Sequence, residues 1–149
     1  MPHIGGTITP WGPLLNVLVN VSQPRAQALQ KAGQPIPQPV VAKLVVDTGA
    51  TLTAIDKSIL AQLQLTPKGQ TAIHTPSTQN TPVPANLFDI AMVILGATAA
   101  APFAHMIAAL AVIDGDFKPQ GIDGLLGRDV LASARVIYSG SDQIFMMSF

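Results

Sequence analysis

Two short stretches of the sequence place polar residues and glycine directly after apolar residues. In the first, an apolar run ending at Val46 leads into Asp47-Thr48-Gly49. Such a run suits a buried strand, and glycine permits a tight turn after it. An acid held at the end of a rigid strand can serve in catalysis, whereas a lone Asp-Thr-Gly is more often a turn in which Asp bonds its own backbone. The rest of the sequence must decide between these interpretations.

The second stretch, far downstream, is Gly124-Leu125-Leu126-Gly127-Arg128-Asp129-Val130-Leu131. Together the two stretches resemble the aspartic proteases of the retroviral type, the retropepsins and their cellular and bacterial relatives. In that family the first motif carries the catalytic aspartate, and the second is a strand that crosses beside it and leads into a short helix. The resemblance spans most of the chain, from about Leu14 to Phe149. The two motifs are specific jointly, whereas the segments between them are not.

The resemblance implies a mainly β fold: a retropepsin-like closed β-barrel, the acid protease fold, with one or two short helices and one lobe per chain. A length of 149 residues fits a single domain over residues 1–149. Apolar residues alternate from Leu15 to Val21, as in a strand with one buried face. Further strands are predicted at 40–46, 53–55, 86–95, 103–113, 124–127, 135–139 and 143–149, with a helix as the alternative for the alanine-rich 103–113. Short helices are predicted at 56–63, with Asp56 as the N-cap, and at 128–133.

Two segments between these strands are predicted to lie at the surface. Residues 22–39 are rich in Gln and Pro and are interpreted as a long surface loop, in which residues 25–31 could form two helical turns. Residues 69–84 are polar and rich in turn residues. Their position matches the family's flap, a β-hairpin that closes over substrate, with arms at 71–75 and 81–85 and a tip at 76–80. An ordinary surface hairpin is the alternative.

The resemblance also assigns roles to individual residues. Asp47 is the catalytic aspartate, and Thr48 and Gly49 support its corner, with the Thr48 hydroxyl reaching across to a partner chain. Ala50 stands where many acid-adapted members carry Ser or Thr, which implies an optimum in mild rather than strong acid. The predicted substrate-binding residues are Ala50, Thr51, His74, Thr75, Pro76 and Leu125.

Arg128 occupies a position at which viral members pair an arginine with an acid shortly after Asp-Thr-Gly. That acid is absent here, because Thr51 stands four residues after Asp47. The predicted partners of Arg128 are therefore Asp129, Asp123 or the C-terminal carboxylate, with a solvated side chain as the alternative. Asp129 is interpreted as structural, since an acid at a helix start interacts favourably with the helix dipole.

Hydrolysis by this family requires two carboxylates that share a proton, because like charges a few ångströms apart do not both ionise easily. The chain contains one Asp-Thr-Gly, and the family's solution for a single lobe is a two-fold homodimer in which Asp47 meets Asp47 of a second copy. The predicted function is an aspartic endopeptidase acting on peptide or protein substrates. The alternatives are a catalytically weak or inactive peptide-binding or dimerisation module of the same fold, and a monomeric β-barrel binding domain in which Asp-Thr-Gly is only a turn.

Composition argues against other function classes. Charged residues make up 11% of the chain and the net charge is zero, which disfavours nucleic acid as a partner. Cysteine is absent and the three histidines lack metal-binding spacing, so no metal or other cofactor is expected. The apolar run at 96–113 is rich in alanine and contains Pro102, which disfavours a membrane span. The N-terminal residues lack the features of a signal peptide, which favours a cytoplasmic location.

Overall fold

The computed structural model describes residues 3–75, 81–96 and 104–149. They form ten strands and three short helices, with a 3-10 turn at Lys118–Gln120. The strands are β1 (Ile4–Thr9), β2 (Gly12–Val21), β3 (Val40–Val46), β4 (Ala54–Asp56), β5 (Gly69–Ile73), β6 (Val83–Leu95), β7 (Ala104–Gly115), β8 (Gly124–Leu126), β9 (Arg135–Ser139) and β10 (Ile144–Ser148). The helices are α1 (Gln23–Lys31), α2 (Lys57–Gln62) and α3 (Arg128–Leu131).

Six of the strands close into a barrel. Neighbours pair in the order β2-β3-β8-β4-β7-β6, and β6 pairs again with β2 to complete the ring. Side chains from alternate positions of these strands fill the interior; in β2, for example, they are Leu15, Val17, Val19 and Val21. The prediction of a mainly β fold with a closed barrel and few helices is therefore confirmed.

Strands β3, β4 and β8 bring distant parts of the chain together. Leu44 to Val46 in β3 pair in parallel with Gly124 to Leu126 in β8, and β4 pairs antiparallel with the other side of β8. The ends of β3 and β8 consequently lie side by side. This arrangement puts Asp47, which follows β3, next to the second glycine-containing stretch.

The chain opens with a strand that the sequence analysis did not identify. β1 contains two glycines among its six residues, which weakens any local strand signal. It is held instead by antiparallel pairing with β10, in which Ile4 lies opposite Met147 and Thr7 opposite Ile144. β9 extends this outer sheet by pairing with the other side of β10. The strands predicted at 135–139 and 143–149 are thus confirmed, and they pair as a hairpin to which β1 adds a third strand.

The prediction of a loop over the whole of 22–39 was wrong for its first half. Residues 23–31 form α1, the helical alternative considered for residues 25–31. Ser22 is the N-cap, because its hydroxyl accepts a hydrogen bond from the Arg25 N–H, and a proline stands in the first turn, where it is tolerated. Residues 34–39 have no regular secondary structure, as predicted.

The region predicted as a flap begins as a β-hairpin. β5 pairs antiparallel with the first residues of β6, from Gly69 opposite Leu87 to Ile73 opposite Val83. The tip predicted at 76–80 lies outside the described residues. β7 is a strand, so the helix alternative for 103–113 was wrong. Within the described ranges, no helix combines the length and apolar character required to cross a membrane.

Candidate active site

Backbone hydrogen bonds hold the Asp47 corner in place. The Asp47 N–H donates to the Leu126 carbonyl at 3.0 Å, which fastens the corner to β8. Within the corner, the Gly49 N–H donates to Asp47 Oδ1 at 2.8 Å and the Ala50 N–H donates to the Asp47 carbonyl at 3.2 Å. Asp47 is partly exposed and Thr48 is exposed. The carboxylate is therefore fixed in orientation yet open to a reactant.

Arg128 forms the second attachment of the corner. Its backbone N–H donates to the Ala50 carbonyl at 2.9 Å, and its Nη2 donates to Thr51 Oγ1 at 3.0 Å. The predicted charged partners of Arg128, which were Asp129, Asp123 and the C-terminal carboxylate, were wrong, although the side chain is exposed, as in the solvated alternative. A threonine hydroxyl accepts the hydrogen bond in place of a carboxylate, so Arg128 still connects the second stretch to the residues after Asp47.

Thr53 is a site residue that sequence reasoning missed. It is fully buried; its N–H donates to Asp129 Oδ2 at 2.9 Å and its hydroxyl donates to Asp129 Oδ1 at 2.8 Å. The same hydroxyl accepts from the Gly127 N–H at 3.0 Å. Asp129 is structural, as predicted, although its role is to bind Thr53 across the site. A polar residue among apolar neighbours was the available signal, but its partner is 76 residues away.

Gly127 is required by the close approach of the two chain segments. A Cβ at this position would lie 2.6 Å from the carbonyl carbon of Leu52 and 2.8 Å from the nitrogen of Thr53. Both atoms belong to the backbone, so a larger residue would separate the second stretch from the corner. The glycine of the second motif therefore has a packing role beside Asp47.

The structure brings some of the predicted substrate-binding residues together and not others. Ala50 and Thr51 continue the corner, and Leu125 pairs with Val45 in β3 and with Ala54 in β4. His74 and Thr75 follow β5 on the separate hairpin, where His74 is exposed. Pro76 lies outside the described residues.

Asp56 has a purely structural carboxylate. Burial acts to raise its pKa, but hydrogen bonds from the hydroxyl and N–H of Ser58 and from the N–H groups of Lys118 and Phe117 outweigh burial and lower the pKa to about 2. The side chain is 4% exposed. The prediction of Asp56 as the N-cap of a short helix is confirmed, because its carboxylate accepts from the Ser58 N–H at the start of α2.

The other acidic side chains also accept hydrogen bonds. The chain contains eight acidic residues, all of them aspartates. Seven accept hydrogen bonds from groups outside the Asp47 corner, and these are Asp56, Asp89, Asp114, Asp116, Asp123, Asp129 and Asp142. Asp47 differs, because the hydrogen bond to its carboxylate comes from its own turn. In the described residues, no group of three or more His, Cys, Asp or Glu side chains is arranged to hold a metal ion.

The fold and the corner define the class of protein. A family model described as Aspartyl protease matches residues 33–130, so the chain belongs to that family. The solved structure of a retropepsin-like aspartic protease from Rickettsia conorii is similar to this chain with a TM-score of 0.57 and 16% identity, covering 97% of this chain and 89% of that one. The fold is therefore retropepsin-like, as the sequence predicted. The search of curated proteins returned no match.

Proposed function

We propose that this chain is an aspartic endopeptidase that acts as a homodimer, with one Asp47 carboxylate from each copy. Membership of the aspartyl protease family and the retropepsin-like fold support the protease class. The observation that carries the proposal is the hydrogen bonding of the aspartates. Asp47 stands in the motif and its carboxylate accepts a hydrogen bond from its own turn, whereas each of the other seven carboxylates accepts a hydrogen bond from a group outside that turn. The second carboxylate of the pair must then come from a second copy.

The two Asp47 carboxylates would share one proton, because two adjacent negative charges repel. The ionised carboxylate takes a proton from water, whose oxygen attacks the carbonyl carbon of the peptide bond. The protonated carboxylate donates its hydrogen to the carbonyl oxygen. The C–N bond then breaks as the first carboxylate passes the proton it took from water to the amine nitrogen, while the second carboxylate takes a proton back from a hydroxyl of the tetrahedral intermediate. The apparent pKa values belong to the pair.

The residues around Asp47 would position the substrate. Thr48 and Gly49 hold the corner, and an extended peptide would lie against Ala50, Thr51 and Leu125 and add to the strands as a further strand. The hairpin of β5 and β6 would close over it as a flap, with His74 and Thr75 facing the peptide.

The edge strand β9 offers a surface on which a second copy could pair. Within the described part of the chain, β9 pairs on one side only, with β10. Its side chains Ile137 and Tyr138 are 50% and 59% exposed, and exposed apolar edges favour strand pairing between chains. Two-fold antiparallel pairing centred on Ile137 would place Arg135 opposite Ser139, whose hydroxyl binds the Asp142 carboxylate at 2.6 Å. The charges of the two copies would therefore be complementary.

The test compares wild type with Asp47→Asn. A mixed peptide library is incubated with each protein between about pH 4 and pH 7, the range around and above carboxyl pKa values, and mass is measured by light scattering in the same buffers. We expect cleavage by a wild-type dimer and at least about a thousandfold loss in the variant, which keeps its fold and dimer. A dimer that binds peptides without cleaving them would instead support the binding module, and a monomer without cleavage would remove the shared-carboxylate argument.

A further inference from the structure

Trp11 is a large aromatic side chain left at the surface. It follows β1, it is 51% exposed, and it is the single tryptophan of the chain. Tryptophan has the largest apolar area of any side chain to gain from burial. A half-exposed tryptophan ring near a functional site therefore suggests that a ligand covers it.

Hydrogen bonds and packing hold the ring in one position. The Trp11 Nε1–H donates to the Gln120 carbonyl at 3.0 Å, and the Trp11 backbone N–H donates to Thr9 Oγ1 at 3.3 Å. Gly121 allows the ring to approach, since a Cβ there would lie 3.3 Å from Trp11 Cζ2 and the backbone has a φ of 80°. The ring is thus fastened between the start of β2 and the turn before β8, and little conformational entropy would be lost if it bound a ligand.

Strand register places Trp11 beside the catalytic corner. β2 and β3 pair with Leu14 opposite Val45, and continuing that register brings Gly12 level with Asp47. A Cβ at Gly12 would lie 3.9 Å from Val45 Cγ1, so the turn that carries Trp11 lies against the last part of β3. Trp11 therefore stands at the end of the barrel where the proposed cleavage takes place.

We infer that Trp11 is a specificity-determining residue whose ring forms a wall for a large apolar or aromatic side chain of the peptide, next to the bond that is cut. This inference rests on the proposed function. The one polar atom of the ring is already hydrogen-bonded to Gln120, so the exposed part of the ring offers only carbon.

The kinetic test uses peptides that differ only at a position adjacent to the bond that is cut, with Phe, Leu, Ala or Lys there. For wild type we expect the highest kcat/KM with Phe or Leu. Trp11→Ala should reduce the preference for Phe over Ala by about tenfold, while kcat/KM for the Ala peptide changes little. Trp11→Phe should restore most of the preference. Met106→Ala, at an exposed position on β7, is the control and should leave the preference unchanged.

A binding test separates this inference from catalysis. Asp47→Asn protein is held at a concentration at which it is fully dimeric, and a tryptophan-free peptide containing Phe is titrated into it. Because Trp11 is the single tryptophan, its emission reports on the proposed wall directly. We expect the emission maximum of Trp11 to move to shorter wavelength as peptide binds. The titration should give the same dissociation constant as calorimetry with the same peptide.

The outcomes distinguish the two proposals. An unchanged emission on peptide binding, or an unaltered Phe preference in Trp11→Ala, would overturn the role of Trp11 and leave the protease intact. Emission that changes on dilution of the dimer but not with peptide would place Trp11 in the contact between copies and would also overturn it. A peptide that binds with the blue shift in a protein that never cleaves would support Trp11 and refute the protease.

Discussion

The position of the Asp47 corner depends on a residue outside the Asp-Thr-Gly motif. Thr53 receives one buried hydrogen bond from Gly127 and donates two partly buried ones to the carboxylate of Asp129. Its hydroxyl consequently connects the strand after the corner with the start of α3. Because Gly127 follows Leu126, whose carbonyl accepts from the Asp47 N–H, this contact supports the backbone of the corner.

Replacing Thr53 with valine tests this role. Valine keeps the shape but removes the hydroxyl, so the Gly127 N–H and the Asp129 carboxylate each lose a buried partner. We expect the free energy of unfolding to fall by about 2 kcal/mol in urea titrations, and the cleavage rate to fall with it. Thr53→Ser keeps the hydroxyl and should cost about 1 kcal/mol for the lost methyl group. Equal losses in the two variants would contradict the role of the hydroxyl.

Arg128 and Thr51 show how residue-level prediction failed. The sequence lacks the acidic residue that pairs with this arginine in viral members, and the prediction therefore assigned Arg128 other carboxylates as partners. The guanidinium instead binds the nearest hydroxyl in the folded corner, Thr51 Oγ1. A hydroxyl is a weaker acceptor than a carboxylate, yet it is already in place, and a neutral partner avoids placing another negative charge near Asp47.

Among the elements, α2 is fastened to the turn after β7 through Asp56. The two oxygens of this carboxylate bind different elements. Oδ1 accepts hydrogen bonds from Ser58 at the start of α2, and Oδ2 accepts from the N–H groups of Phe117 and Lys118. The same turn continues to the Gln120 carbonyl that holds Trp11. One buried carboxylate therefore connects a helix, the strand β4 and the turn beside the proposed cleft.

The low pKa of Asp56 predicts how stability changes with pH. The carboxyl titrates at its ordinary value of 3.8 in the unfolded chain and at about 2 in the folded protein. The ionised form thus stabilises the fold above pH 3.8, by on the order of 2 kcal/mol, and this contribution is lost as pH falls through about 2. Asp56→Asn should therefore be less stable than wild type near neutral pH, and the difference should shrink in strong acid.

Urea titrations from neutral pH down to about pH 2 measure this difference. The control is Asp116→Asn, which removes an exposed ion pair with Lys57 and should change stability by less than about 1 kcal/mol. A difference between Asp56→Asn and wild type that is constant over the whole range would show that the charge of Asp56 does not stabilise the fold.

Elements with strong local patterns were predicted well, and elements that depend on distant partners were not. The alternation in β2 and the β-branched residues of β3 identified both strands. β1 escaped prediction because its strand form depends on pairing with β10 at the other end of the sequence. α1 was obscured by the prolines around it, although Ser22 and the early proline are features typical of a helix start. Local signals are sufficient only where local energies decide the structure.

For the whole molecule, the proposed activity depends on the assembly of two copies. Ile137→Lys would place a charge at the centre of the exposed edge β9 and should raise the dimer dissociation constant by at least about tenfold. Light scattering over a range of concentrations measures this change. Cleavage should fall in parallel and recover at high protein concentration.

The control is Val41→Lys, which adds the same charge at an exposed position on β3 that lies opposite Leu18 of β2. It should leave the dimer unaffected. A stable dimer in Ile137→Lys would show that the two copies meet through a different surface.

The joining of β3 to β8 also has a consequence for the timing of activity in the cell. Lys43 is bonded to Asp123, 80 residues further along the chain, and Asp47 and Thr53 likewise depend on residues between 126 and 129. During translation, at roughly 5–20 residues per second, a nascent chain that already contains Asp-Thr-Gly still lacks the strand that fixes it. A ribosome-bound chain that ends before Gly124 should therefore lack the proposed proteolytic activity, which would begin only after the barrel has closed.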